Sequence, residues 1–155
     1  MAYRIEGLDP ALFAESCGAS DDTLARHGAV RVVADKALGY PCRITLEDAE
    51  PGETLLLLPP RLERPGSPFG FTYAIFVQQD VPRAAQYLDA VPPIFAPRVP
   101  SLRGFDEDGV VRAAALAQPG EADAAIERVL DDPAVVYIDV HNAVAGCFAA
   151  RVERA

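Results

Sequence analysis

Fourteen prolines and eleven glycines divide the chain into short apolar segments, and this division constrains the fold more than any other feature. Many of these breaks fall at Pro59-Pro60, Pro65-Gly66, Pro92-Pro93, Pro97 and Pro100. The strand-like segments between them do not alternate regularly with helical ones, which disfavours a doubly wound parallel sheet. The sequence therefore predicts an α+β fold, in which a mostly antiparallel sheet carries a few short helices on one face.

Eight segments have the composition of strands, and four have helical signals. The predicted strands are Val30–Val33, Cys42–Leu46, Thr54–Leu58, Thr72–Val77, Leu102–Phe105, Val110–Leu116, Val135–His141 and Cys147–Val152. The predicted helices are Pro10–Cys17, a helix capped by Ser20 that ends at His27-Gly28, Glu121–Leu130 and a weaker Pro82–Asp89. Ordered loops are expected at 59–71 and 90–101.

Length and charge limit the class of protein. A chain of 155 residues is expected to form a single domain, 1–155. Lys and Arg number 14 against 23 Asp and Glu, which gives a net charge of −9. Neither nucleic acid nor an anionic membrane is therefore expected as a partner, and no oligomeric state follows from the pattern. Lys36 is the one lysine among those basic residues, a bias that indicates a GC-rich bacterial genome.

Cysteine usage and hydropathy indicate the compartment. The N-terminal segment lacks the apolar region of a signal peptide. The longest aliphatic run, Leu55–Leu58, is far shorter than the ~20 residues that cross a bilayer. The chain has three cysteines, Cys17, Cys42 and Cys147. An odd number without CxxC spacing indicates free thiols in a cytosol. We therefore expect a cytoplasmic protein.

The C-terminal segment carries the pattern with the clearest chemical content. In Val135–His141, apolar residues alternate with Tyr137, Asp139 and His141, so these three side chains share one strand face. Cys147–Val152 alternates likewise, and the five-residue loop between the two segments contains Asn and Gly. This combination predicts a β-hairpin. Closing the loop symmetrically pairs His141 with Cys147, Asp139 with Ala149, Val140 with Phe148 and Tyr137 with Arg151.

That register has a chemical consequence. Residues paired across two strands have Cβ atoms roughly 4.5–5.5 Å apart, so the His141 ring would lie beside the Cys147 thiol. An imidazolium next to a thiol stabilises the thiolate, and a carboxylate next to the histidine orients its ring. Cys147 is therefore predicted as the nucleophile, His141 as the base, and Asp139 or Asn142 as the orienting group. Arg43 or Arg151 is predicted to contact an anion.

Two other interpretations of the same face stay open. A strand face that carries Tyr, Asp, His and Arg is often simply the solvent face. Alternatively, Cys42 joins His141 and Cys147 as a third ligand of a soft metal, if its strand lies adjacent. Cys42 also alternates with Ile44 and Leu46, which predicts a small buried side chain. No cofactor and no resident metal are predicted, because none of the GxSxG, GxGxxG, HExxH or P-loop motifs occurs.

Several segments resemble a known family. They are Gly39-Tyr40-Pro41-Cys42-Arg43, Leu46–Glu53, Ile75–Val77, Leu102–Asp106, and His141-Asn142-Ala143 with Gly146-Cys147 and Ala150-Arg151. In these the chain is similar, over essentially its whole length, to bacterial domain-of-unknown-function family 1203. The resemblance implies a single-domain bacterial protein with no assigned activity and carries over no catalytic residue. It makes Cys42, His141, Asn142 and Cys147 the natural residues to test.

The sequence thus favours a small-molecule enzyme or binder with a Cys/His site on the C-terminal hairpin. Cys42, Arg43, Asn142 and Arg151 are the expected binding residues. The alternatives are a non-catalytic interaction module and a Cys/His metal-binding protein. An enzyme or binder needs the site to line a cavity, whereas an interaction module needs it flat and open.

Overall fold

The computed structural model describes residues 2–60, 67–69 and 73–155. Nine strands occur within these ranges: β1 (Tyr3–Glu6), β2 (Val30–Val33), β3 (Thr54–Leu58), β4 (Ile75–Gln78), β5 (Gln86–Leu88), β6 (Pro100–Phe105), β7 (Val111–Leu116), β8 (Tyr137–Asn142) and β9 (Phe148–Arg154). The helices of the same ranges are α1 (Ala14–Cys17), α2 (Asp21–Arg26) and α3 (Ala122–Leu130), with 3-10 turns at Pro10–Phe13 and Pro93–Phe95. The strands pair antiparallel, so the predicted α+β class is confirmed.

The larger sheet has the strand order β5-β1-β9-β8-β6-β7 and carries α3 on one face. The apolar stripe of α3 packs on this sheet through Ala122, Ala125, Ile126, Val129 and Leu130, all of them buried. The helix approaches β6 closely, since a Cβ on Gly104 would lie 2.8 Å from Val129 Cγ1. The periodicity that predicted this helix therefore also marks the face that forms the larger core.

The smaller sheet has the strand order β2-β3-β4 and a core of its own. Leu55, Leu56, Ile75 and Val77 are fully buried there, together with Leu24 of α2. The predicted cap of α2 is confirmed, because Ser20 Oγ accepts a hydrogen bond of 3.2 Å from the Thr23 amide. Asp9 likewise caps the turn that leads into α1. Among the described residues, no helix is long and apolar enough to cross a bilayer.

Two predicted elements are wrong. Cys42–Leu46 is a turn and not a strand: the Leu46 amide donates to the Cys42 carbonyl at 3.0 Å, and Leu46 has a φ of 56°. The predicted helix Pro82–Asp89 contains instead the edge strand β5, which pairs with β1. In both cases contacts with distant segments override local propensity. The predicted loop at 59–71 and the start of the predicted strand at Thr72 lie largely outside the described residues.

The predicted C-terminal hairpin is confirmed, but its register differs from the symmetric one. Val140 lies opposite Ala150, two residues from its predicted partner. A shift of two residues leaves every side chain on its own face, so the alternating pattern does not distinguish the two registers. A β-bulge next to Val140 then places His141 opposite Phe148. Cys147 pairs instead with Asn142, whose amide donates to its carbonyl at 2.9 Å.

Candidate functional site

A cavity of about 870 Å³ opens where β3 and β4 face the turn between β8 and β9. Its walls are mainly apolar, with Pro41, Leu57, Ala74, Phe76, Pro97 and Val99. Among the described residues, the polar and ionisable side chains at the cavity are Arg43, Arg98, Tyr73, Asn142 and Cys147. A volume of this order is typical of sites for small organic molecules, about 300–1,000 Å³.

Cys147 holds the chemically most reactive atom of the cavity lining. Its side chain is 7% exposed, and two donors from different parts of the chain point at its sulfur. Arg43 Nη2 lies 3.1 Å from Sγ, and Asn142 Nδ2 lies 3.3 Å from it. Cys147, Arg43 and Asn142 are together called the thiol site below.

The Arg43 guanidinium is buried and fixed in place. Arg43 is 1% exposed; its Nε donates to the Phe148 carbonyl at 2.7 Å, and Nη1 donates to the Pro41 carbonyl. Within the described part of the chain, no carboxylate forms an ion pair with it. Burial lowers the pKa of Arg43 from its ordinary value, and a negative charge on Cys147 acts in the opposite direction. Of the described groups that accept a hydrogen bond from this buried cation, the Cys147 sulfur is the one that can carry a negative charge.

The position of Arg43 follows from close packing of its backbone. Its amide donates to the Phe76 carbonyl at 3.0 Å, and its carbonyl accepts from the Leu8 amide at 2.7 Å. The segment after β1 can approach this closely only because residue 7 is glycine. A Cβ on Gly7 would lie 2.0 Å from the Ile44 carbonyl oxygen. Backbone contacts with the segment after β1 and with β4 thus hold the turn at Cys42–Leu46 in place, and Arg43 extends from this turn to Cys147.

Arg98 is a cavity residue that the sequence did not single out. Its Nη2 and Nη1 atoms lie 2.6 and 2.8 Å from the two carboxylate oxygens of Asp48, a bidentate ion pair. Nη1 also donates to the Ile94 carbonyl at 2.9 Å. No motif or spacing connects positions 48 and 98, so only the folded chain reveals this pair. Arg98 is paired with a carboxylate, whereas Arg43 has no carboxylate partner among the described residues.

His141 and Asp139, the predicted base and orienting group, lie outside the cavity lining. His141 Nδ1 is 3.1 Å from the Gly146 carbonyl oxygen, and its ring packs edge-on against Phe148. Asp139 pairs with Arg151, whose Nε lies 2.9 Å from Oδ1. Both predicted residues are buried, so the interpretation of this strand face as a solvent face is wrong for them. Arg151, a predicted ligand contact, lies over the Tyr137 ring at 4.3 Å.

Cys42 is fully buried, as its alternation with Ile44 and Leu46 predicted. Its sulfur accepts from the backbone amides of Gln78, Ile44 and Thr45 at 3.2, 3.4 and 3.5 Å. No group of three or more His, Cys, Asp or Glu side chains that could hold a metal occurs within residues 2–60, 67–69 and 73–155. Cys42, His141 and Cys147 therefore do not form the metal cluster that the alternative hypothesis required.

Comparison with known proteins places the chain in a family. A protein-family model described as a protein of unknown function, DUF1203, matches residues 39–154. The match covers well over half of the chain and includes the whole thiol site, so the protein belongs to this family, as the resemblance indicated. No match was found among curated proteins or among solved structures.

Proposed function

We propose that the protein is a small-molecule enzyme or binder that takes its ligand into the 870 Å³ cavity and uses Cys147 as the reactive group. One observation carries this proposal. The sulfur at the cavity accepts hydrogen bonds from a buried guanidinium and from a side-chain amide. A concave, largely apolar pocket with a few converging polar groups is typical of a ligand site, and a flat interaction surface has no such pocket.

The charged and polar groups around Cys147 support its role as the nucleophile. A buried cation is costly unless an anion or several acceptors compensate it. Arg43 has two carbonyl partners and the Cys147 sulfur. Hydrogen bonds from charged donors to a sulfur favour its negative form, and the thiolate is the nucleophilic form of cysteine. Arg43 and Asn142 therefore activate Cys147.

His141 acts in this proposal as a positioning residue. Its Nδ1 contacts the carbonyl of Gly146, the residue that precedes Cys147. The Gly146 amide in turn donates to the Asn142 carbonyl at 2.7 Å, which closes the turn. The histidine therefore holds the backbone between the two residues that meet at the sulfur.

The three cysteines are free, which suits a protein of a reducing compartment such as the cytoplasm. A reactive thiolate also persists longest in such a compartment. With a net charge of −9, the chain is proposed to have no nucleic-acid or membrane partner.

Site-resolved alkylation tests the proposal. With iodoacetamide at pH 7 and peptide mass spectrometry, Cys147 should react at least about tenfold faster than Cys17, because an ordinary thiol is mostly protonated at that pH. Burial raises the pKa of Cys17, which slows its alkylation further. Asn142→Ala removes one donor and should slow the reaction of Cys147 severalfold.

Gln86→Ala is the matched control, because it deletes an exposed amide that donates to Glu6 and does not line the cavity. This variant should leave the alkylation of Cys147 unchanged. Equal rates at Cys147 and Cys17 in the unmodified protein would exclude an activated thiol.

A further inference from the structure

We infer that the thiol site accepts an acyl group from an activated acyl donor, a thioester or an aryl ester, onto the Cys147 sulfur. This inference rests on the proposed function and adds the class of substrate to it. It follows from three properties of the cavity: the spare donors next to the sulfur, the chemistry of its ionisable lining and its apolar walls.

The donors that stabilise the sulfur can also stabilise an oxyanion. When a thiolate attacks a carbonyl carbon, negative charge moves from the sulfur to the carbonyl oxygen. In the adduct this oxygen is separated from the sulfur by two bonds. A guanidinium has five N–H groups, and Arg43 engages one each from Nε, Nη1 and Nη2 in the contacts above. Asn142 Nδ2 carries a second hydrogen besides the one that it donates to Sγ. The thiol site therefore offers donors at the place where an acyl oxyanion develops.

The ionisable side chains of the cavity limit which leaving groups the site can release. Among the described residues of the cavity lining, the ionisable side chains are Arg43, Tyr73, Arg98 and Cys147, with no imidazole and no carboxylic acid. Tyr73 is 60% exposed, and Arg98 is held by Asp48. None of these described side chains is a buried acid that could donate a proton to a poor leaving group, such as an amine or an alkoxide. The leaving group must depart as a stable anion, which thiolates and aryl oxides do.

The step balances without an oxidant, a reductant or a proton donor. The Cys147 thiolate forms a bond to the carbonyl carbon, and the carbonyl electron pair moves to oxygen near Arg43 and Asn142. When the carbonyl re-forms, the bond to the leaving group breaks, and that group departs as an anion with the electron pair. The products are an S-acyl cysteine and a thiolate or aryl oxide.

The apolar walls fit the acyl group. Leu57, Phe76, Pro97 and Val99 present hydrocarbon surface to the cavity. A longer aliphatic acyl chain should therefore react faster than acetyl, because each CH₂ that the cavity removes from water favours binding. No described lining residue is placed to activate water, so the S-acyl form should accumulate in the absence of an acyl acceptor.

Burst kinetics with 4-nitrophenyl hexanoate and 4-nitrophenyl acetate test the inference. The protein should release about one nitrophenolate per chain in a fast phase, with the acyl group mapped to Cys147 by peptide mass spectrometry. Hexanoate should react at least about tenfold faster than acetate. Cys147→Ser should abolish the burst, and Cys17→Ser, which removes a thiol outside the cavity, should retain it. A protein without a burst, or a burst that survives in Cys147→Ser, overturns the inference.

Asn142→Ala separates this inference from the proposed function. Loss of one oxyanion donor costs about 10²–10³ in rate in enzymes with such sites, so acylation should slow by a factor of this order. Alkylation by iodoacetamide creates no oxyanion and should slow only severalfold. Fast alkylation of Cys147 without acylation overturns the acyl class and leaves the activated thiol standing, whereas an equal slowing of both reactions overturns the oxyanion role of Asn142. Slow alkylation together with no acylation overturns both proposals.

Discussion

Alanine at position 7 is expected to lower the free energy of unfolding by about 3 kcal/mol or more, at the upper end of the cost of overpacking. The added Cβ would lie 2.0 Å from the carbonyl oxygen and 2.8 Å from the carbonyl carbon of Ile44. Both are backbone atoms, so no side chain can swing aside to make room. The turn next to Arg43 must move, and the alkylation of Cys147 should slow in whatever folded protein remains.

Gly18→Ala is the matched control for Gly7→Ala. Residue 18 has a φ of −83°, and its added Cβ would be 3.8 Å from the nearest carbonyl oxygens, an ordinary contact. The free energy of unfolding of Gly18→Ala should lie within about 1 kcal/mol of that of the unmodified protein. Any change should be an increase, because alanine restricts the unfolded chain more than glycine does. Urea denaturation followed by circular dichroism measures both variants. Equal midpoints for Gly7→Ala and the unmodified protein would show that the close approach at Gly7 does not exist.

Arg43→Lys is expected to cost about 2–4 kcal/mol although it keeps the positive charge. The planar guanidinium reaches the carbonyls of Phe148 and Pro41 and the sulfur of Cys147 at once, with one nitrogen for each. A single ammonium cannot contact three acceptors in these directions, so a buried carbonyl loses its donor. Alkylation of Cys147 should slow by about tenfold for the same reason.

Arg4→Lys is the control, since Arg4 is an exposed arginine whose ion pairs with Glu6 and Glu153 lie at the surface. This exchange should change the free energy of unfolding by no more than about 0.5 kcal/mol. The two variants are compared by urea denaturation and by the alkylation assay. If Arg43→Lys matches Arg4→Lys in both measurements, Arg43 does not organise the thiol site.

The local pattern of apolar residues was sufficient to predict those elements whose burial depends on residues nearby in the sequence. The strands at Val30–Val33 and Thr54–Leu58 have the predicted bounds, and α3 begins one residue after its predicted start. The local pattern did not predict β1 and β5. These short segments are strands because they pair with each other, and β1 also pairs with β9. The partners of β1 and β5 lie 80 or more positions away in the sequence, which no local periodicity records.

The thiol site shows the same division. Cys147, Arg43 and Asn142 were all singled out from the sequence, but the pattern assigned His141 to the sulfur in place of Arg43. The reason is the two-residue difference in register together with the β-bulge beside Val140, which places Cys147 opposite Asn142 and not His141. The path of Arg43 into the core depends on Gly7 and on β4, contacts that become visible only in the folded chain.

The ultraviolet absorbance of a thiolate near 240 nm reports whether the Cys147 sulfur carries a negative charge beside Arg43. Spectra of the folded protein, Cys147→Ser and Cys17→Ser are compared at pH 7. We expect Cys147→Ser to lower the absorbance by the contribution of about one thiolate and Cys17→Ser to leave it unchanged. The difference should disappear in urea, where an ordinary thiol is mostly protonated. Identical folded spectra for the unmodified protein and Cys147→Ser would show that no thiolate forms beside Arg43.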